Sequence, residues 1–315
     1  MMTDVLSSGG ADSAAWARIA ELGSTLEKTV IEASFRLIEP LHQPQGAAVN
    51  AVLEEERAYG PHARHRVDIY RSQDASGPLK PILLFVHGGG YASGDKRMGA
   101  FFANLGHWAA ASGLIGAAMN YRLAPDYTWP SAQEDIKEAL GWLRAHAREL
   151  GADPDRIFLM GHSAGAGHCA NYAANRQFHA APGGGVAGII LISGVYDLVL
   201  AGEFGRSSRS LYYGTEADGE AERSCLDGLA AFAAPIATMV AELDPPELHA
   251  QAKSLIDALY EANGTLPAFT RLARHNHYTE ILSTGLPMAA QMHHALLDFI
   301  SLDCAAGAQF ARPKP

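Results

Sequence analysis

Apolar residues recur every three or four positions near the start of the chain: Trp16, Ile19, Leu22, Leu26, Val30, Phe35 and Ile38. That spacing lays them along one stripe and predicts a helix over 12–39. Pro40 and the run Gln43-Pro44-Gln45-Gly46 are expected to end it. A second helical stretch is expected over Ala48–Glu56. Then the texture changes. Arg66–Arg71 alternates like a half-buried strand, and Ile82–His87 is a continuous apolar run, as in a strand covered on both faces. Helices are expected at Met98–Ala111, Ser131–Leu150 and Ala164–Arg176, and at about 247–263 and 286–301. Between them, Leu114–Tyr121, Arg156–His162, Gly188–Ser193, Ile236–Glu242 and Pro267–Leu272 read as strands.

This alternation of strand and helix predicts an α/β fold, a mostly parallel central sheet flanked by helices. Right-handed crossovers bring the carboxyl ends of the strands to one edge, where ligands bind in open sheets of this kind. The segment Leu198–Pro235 is too long for a plain connection. It is expected to be a partly helical insertion over that edge, with the N-terminal helix as its neighbour. The organisation that follows is an N-terminal helical cap region over 1–55, a core over 56–305, and a cap insertion at about 198–235.

Composition narrows the function classes. Hydrophobic residues make up 48% and charged ones 18%, so the chain can bury a large core. A formal net charge of −10, with no dense Lys/Arg cluster, argues against a nucleic-acid partner. The apolar runs are too short to span a bilayer, and the N-terminus lacks a secretory pattern. Cys169, Cys225 and Cys304 are widely spaced and odd in number, which disfavours a disulfide framework or zinc site. A reduced, cytoplasmic setting is expected, with no membrane partner. Nothing in the pattern fixes the oligomeric state, and a homodimer is allowed.

The chemistry concentrates in a few motifs. Gly161-His162-Ser163-Ala164-Gly165 follows an apolar strand and precedes a helix of small residues. A sharp strand-to-helix turn holds a serine clear of the backbone in a strained conformation, and glycines two before and two after relieve the crowding. Ser163 is therefore the candidate nucleophile, with a helix start behind it to favour developing negative charge. His87-Gly88-Gly89-Gly90-Tyr91 directly follows the strand Ile82–Val86. Glycines let backbone N–H groups converge on a tetrahedral oxyanion, so this loop is the candidate oxyanion hole.

Together, His87-Gly-Gly-Gly90, Tyr121-Arg122-Leu123-Ala124-Pro125 and Gly161-His-Ser-Ala-Gly165 resemble the hormone-sensitive-lipase-like and carboxylesterase branch of the α/β hydrolases. That branch includes bacterial esterases and related arylformamidases. Gly94-Asp95-Lys96 also resembles its members, and the resemblance covers roughly residues 60–300. It implies an α/β-hydrolase fold with a small helical cap, and hydrolysis of short- to medium-chain carboxylic esters through an acyl-enzyme. It further implies oxyanion donors at the N–H groups of Gly88, Gly89 and Ala164, with no metal and no organic cofactor.

A serine hydroxyl needs a base and the base an orienting acid, which follow it in that chain order in this fold. After the strand Ile236–Glu242 the acid is Asp244 or Glu242. Asp244-Pro245 resembles the family's acid and favours Asp244. After the last strand the base is His275 or His277, and His277-Tyr278 resembles the family's His-aromatic pair. A His-x-His pair can also bind metal, but no carboxylate or cysteine completes a ligand set in sequence. His162 is expected to pack or line the pocket, His87 to sit at or behind it, and His168 to be structural. Asp197 is expected to support the catalytic residues from behind, to anchor the cap, or to be a plain loop carboxylate. Tyr91, Phe204, Tyr212, Tyr213 and Tyr278 are candidates to line an acyl or alcohol pocket.

The expected partner is a small-molecule ester. An N-formyl amide cleaved by the same triad is the nearest alternative. A non-catalytic binding module that kept the pocket is a more distant one, against which the intact Ser, Asp and His argue.

Overall fold

The computed structural model describes residues 8–42, 51–74, 77–99, 101–215 and 217–302. The Gln43–Gly46 run, the start of the stretch expected from Ala48, residues 303–305 of the expected core and Cys304 lie outside them.

Strand β3 (Lys80–Val86) shows how the sheet divides the molecule. Its side chains alternate, as those of any strand must. Ile82, Leu84 and Val86 enter one buried cluster, and Leu83 and Phe85 enter the other. On the first side lie the apolar faces of α4 (Ser131–Leu150), α5 (Ala164–Ala174) and α10 (Pro246–Asn263). On the second side lie those of α1 (Ser8–Leu22), α2 (Lys28–His42), α3 (Ala103–Ala111) and α12 (Ala290–Leu302). Both faces are covered, which is why β3 carries a continuous apolar run.

The eight strands are β1 (Ala51–Ala58), β2 (Arg66–Ser72), β3, β4 (Ile115–Met119), β5 (Ala152–His162), β6 (Gly188–Ile192), β7 (Ile236–Leu243) and β8 (Ala268–Asn276). Their order across the sheet is β1-β2-β4-β3-β5-β6-β7-β8. β1–β2 and β2–β4 are antiparallel, and the remaining pairs are parallel. The expected α/β class and mostly parallel sheet are borne out. The carboxyl ends of β3, β5, β6, β7 and β8 meet at one edge, from which Gly88, Ser163, Ser193, Asp244 and His277 emerge.

The N-terminal third departs from expectation in two places. The helix expected over 12–39 is two helices, α1 and α2, parted at Gly23, whose φ of 71° is the left-handed conformation that ends helices. Pro40 stands inside α2, which runs on to His42. It removes one hydrogen bond near an end where carbonyls are already unpaired. The stretch up to Glu56 is strand rather than helix. Glutamates favour helix, but Leu53 and Glu54 pair with Tyr70 and Ile69, and Arg71 Nε donates to Glu54 Oε1 at 3.1 Å. Cross-strand pairing overrides local propensity here. The sheet thus begins at Ala51, inside the region expected to be cap. Near Met98, a bridge between Met98 and Phe101 delays α3 to Ala103.

The insertion after β6 folds as α6 (Leu198–Ala201), α7 (Arg206–Tyr213), α8 (Ala217–Arg223) and α9 (Leu226–Ala230). Its Leu198, Tyr212, Tyr213 and Leu229 join the core cluster on the α4–α5 side. A last short helix, α11 (Thr279–Leu282), follows β8.

Candidate active site

Ser163 occupies the turn between β5 and α5 with φ 55° and ψ −124°, a strained conformation for a residue with a Cβ. The flanking glycines make the turn possible. A Cβ on Gly161 would lie 2.4 Å from the Gly165 carbonyl oxygen, and one on Gly165 would lie 2.1 Å from that of Val86. The Ser163 N–H donates to the Ile192 carbonyl at 2.9 Å, which fixes the turn to the end of β6.

His277 and Asp244 reach this serine from two other strand ends. His277 Nε2 lies 2.9 Å from Ser163 Oγ, and His277 Nδ1 lies 2.8 Å from Asp244 Oδ1. A carboxylate can only accept, so Nδ1 carries the proton, Nε2 is bare, and the serine hydroxyl donates to it. Asp244 Oδ2 accepts from Ser193 Oγ at 2.5 Å and from the Ala241 N–H at 2.8 Å. Burial pushes the Asp244 carboxyl up, but the donors from His277, Ser193 and Ala241 outweigh it and hold it below the usual range. It stays ionised behind the imidazole.

The competing candidates are engaged elsewhere. Glu242 accepts from the Arg274 N–H at 2.8 Å and pairs with Arg271 at 3.1 Å along the β7–β8 edge. His275 is buried, bonded to Thr279 Oγ1 and the Met288 carbonyl, with its ring against Trp16. The loop bearing His277 is braced on the N-terminal helices. Asn276 Nδ2 donates to Ser34 Oγ at 3.2 Å, and the Tyr278 hydroxyl donates to the Leu26 carbonyl at 3.2 Å.

The glycine loop passes close to the serine. A Cβ on Gly88 would sit 3.0 Å from Ser163 Cβ, and Gly89 has φ 139°, a conformation open essentially to glycine alone. No acceptor among the described residues takes the backbone N–H groups of Gly88, Gly89 or Ala164. Ala164 opens α5 directly after Ser163, where a helix start leaves its first N–H groups without intrahelical partners.

A cavity of about 450 Å³ opens on Ser163 and His277. Leu26, between α1 and α2, and Ile31 of α2 line it, with Phe204, Ser208 and Arg209 from the insertion. Tyr91 and Tyr278 line it as well, whereas Tyr212 and Tyr213 are buried beyond it, stacked and edged against Tyr91. Arg209 is locked by the carbonyls of Phe204, Leu198 and Gly202, so it shapes the wall. A larger cavity of about 550 Å³, lined by Arg176, His179 and Phe232 among others, shares no residue with this site.

The other candidates lie behind the cavity. His87 is fully buried, donates from Nδ1 to the Gly88 carbonyl at 2.7 Å and stacks on Tyr121; burial lowers its pKa to about 4. His162 is buried and does not line the pocket. Asp197 caps α6, accepting from the N–H groups of Val199 and Leu200, and so anchors the insertion. His275 and His277 bond to different partners, His275 to Thr279 and Met288 and His277 to Asp244 and Ser163. A different group, His162, His277 and Glu280, does bring its potential ligand atoms within 4.8 Å of one another. Both His277 nitrogens are already committed to Asp244 and Ser163, so this group is not arranged to hold an ion.

Sequence patterns do not single out Ser193, Asn276 or Glu280. Ser193 carries one available signal, its place at the end of a strand on the catalytic edge. Glu280 carries another, its position three residues after His277 on a helical turn.

Comparison with known proteins bears on the fold and family. The family model BD-FAE matches residues 67–199. The chain is 40% identical over 119 residues to "Probable carboxylic ester hydrolase LipM" of Mycobacterium tuberculosis, a match covering 37% of this chain and 27% of that one. It is 37% identical over 108 residues to "Probable isoprenylcysteine alpha-carbonyl methylesterase ICMEL1" of Arabidopsis thaliana, covering 34% and 22%. The match thus spans about a quarter of the length of these curated relatives. Among solved structures, a fungal esterase of Rhizomucor miehei superposes with a TM-score of 0.70 at 19% identity, over 94% of this chain and 98% of that one, which establishes the shared fold.

Proposed function

The chain belongs to the α/β hydrolases, in their hormone-sensitive-lipase-like and carboxylesterase branch, and on that footing we propose that it is a serine hydrolase of carboxylic esters. The observation that carries the reading is the unbroken chain from Asp244 through His277 to Ser163, which opens on a cavity lined in part by Leu26, Ile31, Phe204 and the glycine loop.

In this reading Ser163 Oγ attacks the ester carbonyl while His277 Nε2 takes its proton. Asp244 holds the Nδ1–H tautomer and stabilises the imidazolium that forms. The N–H groups of Gly88, Gly89 and Ala164 hold the oxyanion, an arrangement worth about 3 kcal/mol for each donor removed. His277 then protonates the departing alcohol, and water clears the acyl-enzyme by the same route. No step calls for a metal or organic cofactor.

The N-terminal helices and the 198–235 insertion serve as the cap, since both supply walls of the cavity. The short- to medium-chain acyl preference is carried over from the family resemblance, and Leu26, Ile31 and Phe204 give the cavity apolar walls to receive an acyl group. Buried free thiols at Cys169 and Cys225 support a cytoplasmic setting. Among the described residues no helix is long and apolar enough to cross a membrane.

Labelling with a p-nitrophenyl organophosphonate tests the reading: wild type should be modified at Ser163 and Ser163→Ala should not. A panel of p-nitrophenyl esters from acetate to palmitate should show rates falling toward the long chains. Faster turnover of N-formylkynurenine than of any ester would move the reading to an amide substrate.

A further inference from the structure

The residue immediately before the nucleophile makes a contact that the proposed reaction does not use. His162 Nε2 lies 2.9 Å from the backbone carbonyl oxygen of His277 and 3.2 Å from Glu280 Oε1. The two imidazoles lie side by side, with ring centroids 4.8 Å apart. On its other flank the His162 ring faces the glycine loop, since a Cβ on Gly88 would sit 3.3 Å from His162 Nδ1. One buried side chain thus touches all three segments that must be in register for acyl transfer: the serine turn, the oxyanion loop and the loop that carries the base.

From this we infer that His162 is a positioning residue for the reaction proposed above, a clamp that ties the end of β5 to the His277 backbone and holds Ser163 Oγ and His277 Nε2 at bonding separation, with Glu280 seating the clamp from behind.

The protonation pattern supports it. A carbonyl oxygen only accepts, so His162 Nε2 carries the proton and donates to His277. Burial lowers the His162 pKa to about 3, and the same burial, with Asp244 nearby, raises that of Glu280 well above the carboxylate range. The pair is therefore neutral, a hydrogen-bonded contact in place of an ion pair, and adds no charge behind Asp244. His162 does not line the cavity, so it acts on the reaction through His277 and not on substrate.

The inference rests on the ester-hydrolase reading, and three variants test it. His162→Gln keeps an N–H donor near the position of Nε2. His162→Asn keeps the amide but is too short to reach, and His162→Leu fills the space without a donor. For p-nitrophenyl butyrate the expected result is a kcat lower by about 10- to 100-fold in the Leu and Asn variants, as small misplacements of reacting groups produce. KM should stay nearly unchanged, organophosphonate labelling at Ser163 should slow in parallel, and the Gln variant should recover most of the rate. Should the Leu variant not fold, the Asn–Gln pair decides. Asn and Leu variants with wild-type kcat would overturn the clamp, as would a Gln variant as slow as Asn at equal thermal stability. Wild type that neither turns over an ester nor labels at Ser163 would instead overturn the ester-hydrolase reading, and the clamp with it.

Discussion

Ser193 Oγ donates to Asp244 Oδ2 at 2.5 Å, and Ser193 holds a φ of 48° to do so. A non-glycine residue in the left-handed region costs about 1 kcal/mol or more, and it persists where the surroundings over-determine it. Here the Ser193 N–H donates to the Met239 carbonyl at 3.0 Å, which fixes the residue at the end of β6 with its hydroxyl on the carboxylate. Ser193 thus orients the acid as the acid orients the base.

Ser193→Ala should remove one charge-assisted donor from Asp244 and leave the other two. A loss of about 1.5 kcal/mol in transition-state stabilisation corresponds to about a tenfold fall in kcat. Steady-state kinetics on p-nitrophenyl butyrate would measure it. Loss of a donor should also raise the Asp244 pKa toward its ordinary value. The stability that its depressed pKa contributes above the unfolded value, and that is lost as pH falls through the folded one, should shrink accordingly. Urea unfolding at pH 7 and at pH 3, below the unfolded value of 3.8, would show a smaller difference in the variant.

The parts of this site that sequence shows best are local. The strand, turn and helix around Ser163 lie within a few residues of one another, and the steric need for Gly161 and Gly165 is written in the motif itself. His277 and Asp244 follow from chain order once the strands are placed, because parallel strands deliver their ends to one edge. Ser193 and Glu280 are harder to see. Their roles depend on which side chains meet across three strand ends, and neither is of a type that announces catalysis. The misread stretch before Glu56 has a plain cause as well. A glutamate run favours helix until a partner strand bearing Arg71 is available, and that partner is a matter of tertiary structure.

Two glycine substitutions should separate function from stability. Gly89→Ala would place a Cβ 2.0 Å from the Ser93 carbonyl oxygen at a φ of 139°. The loop must shift, the donors lose their aim, and kcat should fall by about 100-fold or more. Gly141 lies in the interior of α4 with nothing within 4 Å of a Cβ. Gly141→Ala should leave kinetics unchanged and add about 0.5–1 kcal/mol of stability, read by denaturant unfolding.

His168 should make the protein sensitive to acid. It is fully buried among Tyr91, Tyr121 and Tyr212, and neither ring nitrogen has a partner among the described residues. Burial, with His87 adding a smaller push, lowers its pKa from 6.5 to about 3. Between those values the unfolded chain binds a proton that the native state refuses, so stability falls as pH drops below about 6.5. His168→Phe should remove that one-proton contribution. The stability lost between pH 8 and pH 5 should shrink by about 2 kcal/mol, measured by urea unfolding at both pH values.

Lys96 presents the opposite case, a charge that is buried and paired. Its side chain is 3% exposed and contacts Glu56 and Asp68, the latter at 3.5 Å. Arg97 Nε approaches the other Asp68 oxygen at 2.8 Å, and the Glu56 N–H donates to Asp68 Oδ1 at 2.8 Å. Burial pushes the Asp68 carboxyl up, and the Glu56 N–H, Lys96 and Arg97 only partly restrain it. Lys96→Met would fill the same space while leaving Asp68 with less compensation. Breaking one side of a buried pair costs about 3 kcal/mol, so a loss of that size is expected at pH 8. The loss should shrink on acidification, because Asp68 can then take a proton and no longer needs its partner. Activity well below the unfolding temperature should stay close to wild type. The backbone after the glycine loop keeps its other ties, from the Lys96 N–H to Asn120 Oδ1 at 2.6 Å and from Arg64 to the Gly94 carbonyl at 3.0 Å. A collapse of kcat at unchanged stability would instead mean that the ion cluster sets the oxyanion loop directly.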